Sequence, residues 1–283
     1  MPDIAFVNGR FMPLSEATVN VEDRGYQFGD GVYEVIRSYN GILFRLEDHI
    51  ERLKTSAKEI QLDIVYCGED WKKIILEAFI RSRYNEAKVY IQITRGVAPR
   101  AHPFPSGVNP ACVITVRELD QLSEEVRREG VKAITTPDLR WGRCDIKSLN
   151  LLPNVLAKQK AKEAGAFEAI FIRDHKATEG SGSNIFVVKN GSVIPPPQGP
   201  YILSGITREV VIEAARGTGI IVEERDLPAN DLFLSDEVFI TGSTIEVVPV
   251  VEIDNRLIGD GTPGKVTGII IDHFRSLVSN DPH

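Results

Sequence analysis

Three Asn-Gly pairs constrain the fold of this chain more than any other feature. Asn8-Gly9 separates the segment Ile4–Val7 from Arg10–Leu14, and Asn40-Gly41 and Asn190-Gly191 separate similar segments further along. Such a pair is a strong signal for the tight turn of a β-hairpin, because both residues tolerate a positive φ angle. The pattern therefore predicts antiparallel strand pairs in both halves of the chain.

Helical periodicity alternates with these strands. Leu46–Ile60 places Ile50, Leu53 and Ala57 on one face, which is typical of an amphipathic helix. Apolar residues at the same spacing predict helices at Asp70–Arg83, Asn154–Ala164, Thr207–Arg216 and Lys265–Leu277. Apolar or alternating runs predict strands at Ala87–Thr94, Ala111–Val116, Val131–Thr135, Glu168–Ile172, Asn184–Val188, Ile220–Glu224, Glu237–Thr241 and Val247–Ile253.

The charged segment Asp120–Gly130 is nearly devoid of apolar residues, so we expect a domain boundary just before or within it. We predict an N-terminal α+β domain at residues 1–118, a linker at 119–125 and a C-terminal α+β domain at 126–283. The fold class is therefore α+β, with helices and strands mixed in both domains and no internal repeat.

Composition limits the classes of partner and the compartment. The 283 residues carry a net charge of −7, which argues against nucleic acid or an anionic membrane as a general partner. Met1–Ile4 has neither the basic region nor the apolar core of a signal peptide, so a cytoplasmic protein is expected. Cys67, Cys112 and Cys144 are odd in number and far apart, which favours reduced thiols over a disulfide framework or a metal site.

Lys147 is the strongest candidate for a reactive group. It lies in Arg143–Asn154 among Leu149, Leu151 and Leu152, which predict a buried connection just before a helix. Burial disfavours the ammonium form, and a neutral lysine amine can form a Schiff base with a carbonyl. The alternative is a lysine that extends into water, and this stretch taken alone does not overturn it.

Glu179 is the only charged side chain in Ala177–Asn184, a predicted loop of small residues between two strands. Small residues let a planar ligand approach the backbone, and a carboxylate there can keep a heteroaromatic nitrogen protonated. A solvated turn glutamate is the alternative interpretation.

Two short stretches have the features of a phosphate site. Ser204–Arg208 opens a predicted helix, and Thr241–Thr244 places hydroxyl groups on a glycine turn after a strand. Arg52, next to the apolar face of its helix, can add a full positive charge. Each stretch is also an ordinary capping signal.

The proline-rich loop Val97–Pro110 carries Arg100 and His102. Neighbouring prolines favour extended backbone, which puts these two side chains on the same side, where they can bind a carboxylate. A rigid surface loop with incidental charges is the alternative. Gly259–Val266 fits glycine-rich nucleotide motifs, but it has Val266 in place of the metal-binding hydroxyl and lacks a good preceding strand, so we interpret it as the lead into the last helix.

Together these stretches resemble the fold-type IV family of pyridoxal phosphate (PLP) enzymes and, within it, the D-amino acid aminotransferases. The resemblance covers nearly the whole chain. Its most specific parts are Asp23–Glu34 (DRGYQFGDGVYE), the Lys147 stretch, Thr178–Ser181 (TEGS) and Ser204–Arg208 (SGITR). It implies a two-domain enzyme with its active site between the domains, and a homodimer whose subunits share that site.

The resemblance also implies roles for individual residues. Lys147 would hold pyridoxal 5'-phosphate as an internal aldimine and then move a proton between substrate Cα and the cofactor. Glu179 would pair with the pyridinium nitrogen, and Leu203 would pack against the ring. Tyr33, Arg100 and His102 would bind the substrate carboxylate, the last two from the neighbouring subunit. The phosphate would be held by Arg52, Ile206, Thr207, Ser243 and Thr244.

The implied reaction is transamination in two half-reactions, from a D-amino acid (D-alanine, D-glutamate or D-aspartate) to a 2-oxo acid such as 2-oxoglutarate or pyruvate. Two alternatives lie within the family: a branched-chain L-amino acid aminotransferase and an aminodeoxychorismate lyase. The branched-chain enzymes usually carry a tyrosine five residues after the lysine, where this chain has Leu152, and lack the Arg-x-His loop. A nucleotide-binding protein using Gly259–Lys265 is the alternative from another class.

Overall fold

The computed structural model describes residues 3–64 and 71–280. Cys67 and Asp70, which enter the predictions above, lie outside the described residues. The chain divides into two compact units. One consists of the described residues up to Asp120 together with Ile146–Asn150, and the other of Gln121–Asp145 and the described residues from Leu151 onward. The lysine segment therefore packs with the first unit.

The first unit is a sheet covered by two helices. In its described part, six strands form a sheet in the order β2-β1-β6-β5-β3-β4, and every pairing in it is antiparallel. Its elements are β1 (Ile4–Val7), β2 (Arg10–Pro13), α1 (Arg24–Phe28), β3 (Gly31–Tyr39), β4 (Ile42–Leu43), α2 (Leu46–Glu59), α3 (Trp71–Ser82), β5 (Ala87–Thr94) and β6 (Ala111–Glu118).

The core of this unit lies between the sheet and its helices. Leu53 of α2 and Ile75 of α3 pack in one apolar cluster with Ile36 and Ile91 of the sheet, and each of the four is at most 1% exposed. The hydrophobic effect thus fixes α2 on the strand β3. This packing holds Arg52 of α2 beside β3, which carries Tyr33 and Glu34.

The second unit contains a mixed sheet. In the described residues its strands run in the order β11-β10-β13-β14-β7-β8-β9-β12, with β15 paired to β14. The pairs β14–β7 and β7–β8 are parallel, and the others are antiparallel. The elements are α4 (Glu124–Glu129), β7 (Val131–Pro137), α5 (Leu152–Glu163), β8 (Glu168–Arg173), β9 (Lys176–Gly180), β10 (Asn184–Lys189), β11 (Ser192–Ile194), α6 (Ile206–Gly217), β12 (Leu227–Pro228), α7 (Asp231–Leu234), β13 (Glu237–Gly242), β14 (Glu246–Ile253), β15 (Arg256–Leu257) and α8 (Lys265–Asn280).

Two predictions of local structure were wrong, besides the loop at Glu179, which is described with the site. Ile220–Glu224 is not a strand: it makes one isolated bridge, Val193–Val222, and Ile221 is 63% exposed. The segment hydrogen-bonds to Val193 of β11 at this one position, and the pairing does not continue into a strand. Leu152 is not buried either, because it opens α5 with its side chain 69% exposed.

The glycine-rich stretch before α8 is a turn, as predicted. The carboxylate of Glu237 accepts hydrogen bonds from the backbone N–H groups of Val266 (2.9 Å) and Thr267 (2.7 Å). The carboxylate of Glu237 thus occupies the position at the start of α8 where an anionic ligand would bind. No helix in the described residues is both long and apolar enough to cross a membrane.

Candidate active site

Lys147 is attached to the edge of β3 by its backbone. Its carbonyl accepts a hydrogen bond from the N–H of Tyr33 (3.0 Å), and its own N–H donates to Ser56 Oγ (3.2 Å). The N–H of Leu149 donates to the carbonyl of Gly31 (3.1 Å). The predicted connection is therefore hydrogen-bonded to β3 on both sides of Ser148, as a short strand would be. The side chain is half-buried, and its Nζ lies 4.4 Å from the centroid of the Tyr33 ring.

Glu34, the next residue on β3, organises a buried charged cluster. Its carboxylate accepts hydrogen bonds from Arg52 Nε (2.7 Å) and Nη2 (2.9 Å), and His49 Nδ1 lies 2.8 Å from Oε2. An ionised carboxylate only accepts, so His49 carries its proton on Nδ1. The planar guanidinium of Arg52, a predicted phosphate ligand, is thereby fixed in orientation by two parallel hydrogen bonds.

The pKa values in this cluster keep it in one charge state near neutral pH. Burial raises the pKa of Glu34, but the Arg52 guanidinium and the His49 hydrogen bond outweigh it and hold that pKa well below its usual range. Burial lowers the pKa of His49 from its ordinary value, and the positive charges of Arg52 and Lys147 lower it further, against the raising effect of Glu34. Near neutral pH His49 is therefore neutral and the Glu34 carboxylate is ionised.

Glu179 lies on the strand β9, not in a loop as the small residues around it suggested. The β8–β9 hairpin turns at Asp174 and His175, whose φ angles of 48° and 64° match the tight turn that Asn-Gly usually makes. Glu179 is 6% exposed, and its Oε2 accepts from the N–H of Leu203 (3.0 Å) and from Asn184 Nδ2 (3.2 Å). The carboxylate is thus held at a defined position beside Leu203.

Arg140, which the sequence analysis did not identify, donates a hydrogen bond to Glu179 Oε1. Asp138 Oδ2 accepts from Arg140 Nη2 (2.8 Å) and from Arg173 Nε (3.1 Å), and the Asp138 side chain is fully buried. Burial raises the pKa of Asp138, but the two arginines outweigh it and the pKa lies below its usual value. The two carboxylates and two guanidinium groups balance in charge, which keeps Glu179 anionic in a buried setting.

Asn184 connects the segment before α6 with Glu179 and with the strand β13. Asn184 also donates from Nδ2 to the carbonyl of Leu203 (2.9 Å), and it pairs with Thr241 across β10 and β13. A Cβ built on Gly205, which precedes α6, would lie 2.0 Å from Asn184 Oδ1. Only glycine therefore lets the start of α6 approach Asn184. This brings Ile206 and Thr207 into one constellation with Leu203 and Glu179.

These residues fit a bound pyridoxal phosphate. The first turn of α6 begins at Ile206 after a glycine without a capping side chain, so its amides and the Thr207 hydroxyl suit a phosphate. Ser243 and Thr244 follow β13 directly, in the turn closed by the hydrogen bond from the N–H of Ile245 to the carbonyl of Gly242 (3.1 Å). Hydroxyl and amide donors near a buried carboxylate match a ligand that has a phosphate and a basic ring nitrogen.

Arg100 and His102 form a separate cluster on the loop before β6. The guanidinium carbon of Arg100 lies 4.5 Å from the centroid of the Phe28 ring, and the His102 ring centroid lies 5.6 Å from it. Both side chains are exposed and therefore accessible to a ligand. Tyr33 belongs to another cluster, with Lys147 and Tyr90, whose ring centroid is 5.8 Å away.

Cys144 has no role in these clusters as a nucleophile. It is buried, and burial raises the pKa of its thiol to about 11, so the reactive thiolate is scarce at neutral pH. The described residues contain no group of acidic, histidine and cysteine side chains suited to a metal ion.

The relatives of this chain are aminotransferases. Residues 31–253 match the model of the family described as amino-transferase class IV. The chain is 48% identical to a D-alanine aminotransferase from Bacillus licheniformis over 92% of each protein, and 45% identical to one from Listeria innocua over 95% of this chain and 93% of the relative. Among solved structures, a branched-chain amino acid aminotransferase from Escherichia coli superposes with a TM-score of 0.92 at 27% identity, covering 100% of this chain and 97% of that one.

These matches confirm the fold-type IV architecture and the cofactor that the resemblance implied. The chain belongs to the amino-transferase class IV family and is a pyridoxal-phosphate-dependent aminotransferase.

Proposed function

We propose that this enzyme transfers the amino group of D-alanine, D-glutamate or D-aspartate to 2-oxoglutarate or pyruvate. The observation that carries the proposal is the pair Arg100 and His102, which both contact the Phe28 ring and are exposed to a ligand. A guanidinium beside an imidazole is suited to a carboxylate, which every substrate of this reaction carries. The D-alanine aminotransferases at 41–48% identity support the choice of D-amino acids.

Lys147 is the residue that we propose carries the cofactor and moves the proton at substrate Cα. Bound pyridoxal phosphate supplies the electron sink that stabilises negative charge on that carbon. The backbone of Lys147 is hydrogen-bonded to Tyr33 and Ser56, which fixes the position of its Cα. A fixed Cα keeps the amine within reach of substrate Cα during the proton transfer.

Glu179 is proposed to hold a proton at the ring nitrogen. Its charge is maintained by Arg140, and its orientation by Asn184 and the N–H of Leu203, which packs against the ring. A carboxylate whose negative charge is fixed favours the protonated nitrogen, which strengthens the pull of the ring on electrons.

The phosphate is proposed to bind to the N–H of Ile206, the hydroxyls of Thr207, Ser243 and Thr244, and the guanidinium of Arg52. Glu34 supports this by holding Arg52 in a single orientation through two hydrogen bonds. Tyr33, Arg100 and His102 are proposed to bind the substrate α-carboxylate.

A homodimer is part of the proposal. Leu152, Val155 and Leu156 occupy one stripe of α5 and are 69%, 59% and 62% exposed. Apolar side chains clustered in this way mark an interaction surface, and we assign it to a second copy of the chain. Arg100 and His102 would then reach the active site of the neighbouring subunit.

A cytoplasmic location is also proposed. In the described part of the chain, the cysteines Cys112 and Cys144 are both free and buried, which suits a reducing compartment. Fractionation of the source cells would test it.

The substrate proposal is tested by assaying both enantiomers of each donor with 2-oxoglutarate as acceptor. Turnover of D-alanine, D-glutamate or D-aspartate well above that of the L-enantiomers is expected. Transamination confined to L-leucine, L-isoleucine and L-valine would instead identify a branched-chain enzyme, the activity named for the E. coli structural neighbour. Release of pyruvate without an amino acceptor would identify a lyase.

A further inference from the structure

Arg24 lies under the loop that carries Arg100 and His102. It is 3% exposed, and it donates from Nη1 to the carbonyl of Ala101 and from Nη2 to the carbonyl of His102 (3.2 Å). Its Nε donates to Asp30 Oδ2 (2.8 Å). All three nitrogens of the guanidinium are thus in use, and two of them hold the backbone next to the proposed carboxylate ligands.

Arg24 also shares an aromatic ring with those ligands. Its guanidinium carbon lies 4.9 Å from the centroid of the Phe28 ring, which Arg100 and His102 contact as well. Cations over an aromatic face are attracted to it, so the ring draws Arg100 toward the part of the loop that Arg24 holds.

Asp30 is anchored independently of Arg24. Arg95 Nε donates to Asp30 Oδ2 (2.9 Å), and its Nη1 and Nη2 donate to the carbonyls of Gln61 (2.9 Å) and Ile60 (2.7 Å). Arg95 also lies 3.6 Å from the centroid of Phe104 on the loop. Removing the charge of Arg24 therefore leaves Asp30 paired, and the sheet beneath it intact.

We propose that Arg24 is a positioning residue for substrate binding. It fixes the backbone at Ala101 and His102 so that Arg100 and His102 face the substrate carboxylate in one geometry. The inference rests on the proposed function, because it concerns the same carboxylate. A preorganised loop loses less entropy when substrate binds, so Arg24 contributes to substrate affinity and little to the proton transfer at Cα.

The test uses the holoenzyme and three variants: Arg24→Gln, Arg24→Lys and the control Arg81→Gln. Arg81 has the same kinds of partner in the same unit, a carboxylate (Glu77) and an aromatic ring (Phe11), but it is half-exposed and does not contact the loop, so it controls for the loss of an arginine as such. Spectral titration of the first half-reaction with D-alanine gives a dissociation constant and a limiting rate. For Arg24→Gln we expect the dissociation constant to rise about 10-fold or more, as for a lost hydrogen bond to a charged group, with the limiting rate nearly unchanged.

Hydrogen exchange of the loop without substrate provides a second measurement. Exchange at the amides of Ala98, which donates to the carbonyl of Glu22, and of Arg100, Ala101 and His102 should accelerate in Arg24→Gln and stay at the wild-type level in Arg81→Gln. Arg24→Lys retains the charge but offers one ammonium in place of a planar fork, so it should give the same direction of change with a smaller size. It also serves if Arg24→Gln does not fold.

A double-mutant cycle with Arg100→Leu separates the proposed role of Arg24 from the proposed role of the loop in binding substrate. If Arg24 acts through the loop, Arg24→Gln adds little to the affinity loss of Arg100→Leu. Unchanged D-alanine affinity in Arg24→Gln, unchanged exchange of the loop, or fully additive losses would overturn the inference. Unchanged D-alanine affinity in Arg100→Leu would instead count against the proposed role of the loop itself.

Discussion

Arg140 and Glu179 form a buried ion pair in which the guanidinium donates directly to the carboxylate. Arg140 is 8% exposed and Glu179 is 6% exposed, so neither charge has water as its main partner. Burial lowers the pKa of Arg140, but its two carboxylate partners outweigh this and raise it above its ordinary value. Arg140 thus stays charged, and its positive charge favours the ionised form of Glu179.

Replacing Arg140 should therefore be costly to stability. In Arg140→Met, Glu179 loses the hydrogen bond from Arg140, while Asp138 keeps Arg173. We expect the free energy of unfolding to fall by about 3–5 kcal/mol, the usual cost of removing one partner of a buried ion pair. Urea denaturation measures it. Arg143→Met is the control, since Arg143 pairs with Asp145 at a half-exposed site, and the loss of stability there should stay below about 1 kcal/mol. Equal losses in both variants would argue against the buried pair.

His49 should make the enzyme sensitive to acid. Its pKa is lowered in the folded protein from 6.5, so below pH 6.5 the unfolded chain binds a proton that the folded protein does not. Stability from this group is complete above pH 6.5 and decreases as the pH falls, by up to about 1.4 kcal/mol per pH unit. Glu34 acts in the same direction below pH 4.5, where its lowered pKa begins to matter.

Denaturation curves between pH 6.5 and 4.5 test this sign. In His49→Gln the free energy of unfolding should depend less steeply on pH than in the wild type. His175→Asn is the control, because His175 is exposed and asparagine suits its φ of 64°. A slope in His49→Gln as steep as that of the wild type would show that His49 does not carry the effect.

Gly205→Ala should weaken cofactor binding. The added Cβ would overlap Asn184 Oδ1, so either the start of α6 or Asn184 must move. Both movements disturb the proposed ring and phosphate contacts, and we expect the dissociation constant of pyridoxal phosphate to rise about 10-fold or more, in line with 1–3 kcal/mol for overpacking. Gly199→Ala is the control, since a Cβ there meets open space. Unchanged cofactor affinity in Gly205→Ala would refute the close approach.

The stripe on α5 predicts the oligomeric state. Sedimentation of the wild type should give twice the mass of the 31.4 kDa chain, and Leu156→Glu should shift it toward the monomer, because a charge buried in an apolar interface is costly. Ile80→Glu, at an exposed isoleucine of α3 outside the stripe, should stay dimeric. A monomeric wild type, or a Leu156→Glu variant that remains dimeric, would contradict the assignment of the stripe.

The sequence predicted well the tight turns and amphipathic helices, which depend on residues close together in the chain. The turn at Asn40-Gly41 joins β3 to β4, and helical spacing located α2 and α6 to within one or two residues of the observed ends. Ile220–Glu224 was predicted as a strand because it is rich in apolar residues. A strand also requires continuous pairing with another strand, and here only the bridge Val193–Val222 forms. The hairpin before Glu179 was missed because its turn residues, Asp174 and His175, are not the usual glycine or asparagine.

The partners of the proposed site residues could not be predicted from the sequence. Lys147, Glu179 and Arg52 were proposed from local sequence motifs. Their partners were not: Glu34 reaches Arg52 across 18 positions, and Arg140 reaches Glu179 across 39. Ion pairs of this kind follow from the tertiary fold, and nothing in the local pattern marks one arginine over another.

The visible absorption spectrum of the purified enzyme tests the central claim most directly. The wild type should show the band of lysine-bound pyridoxal phosphate, and Lys147→Ala, loaded with the same cofactor, should lack it. D-Alanine should bleach the wild-type band as the cofactor accepts the amino group, while an equal concentration of L-alanine leaves most of it. An unaltered spectrum in Lys147→Ala, or bleaching by L-alanine alone, would contradict the account.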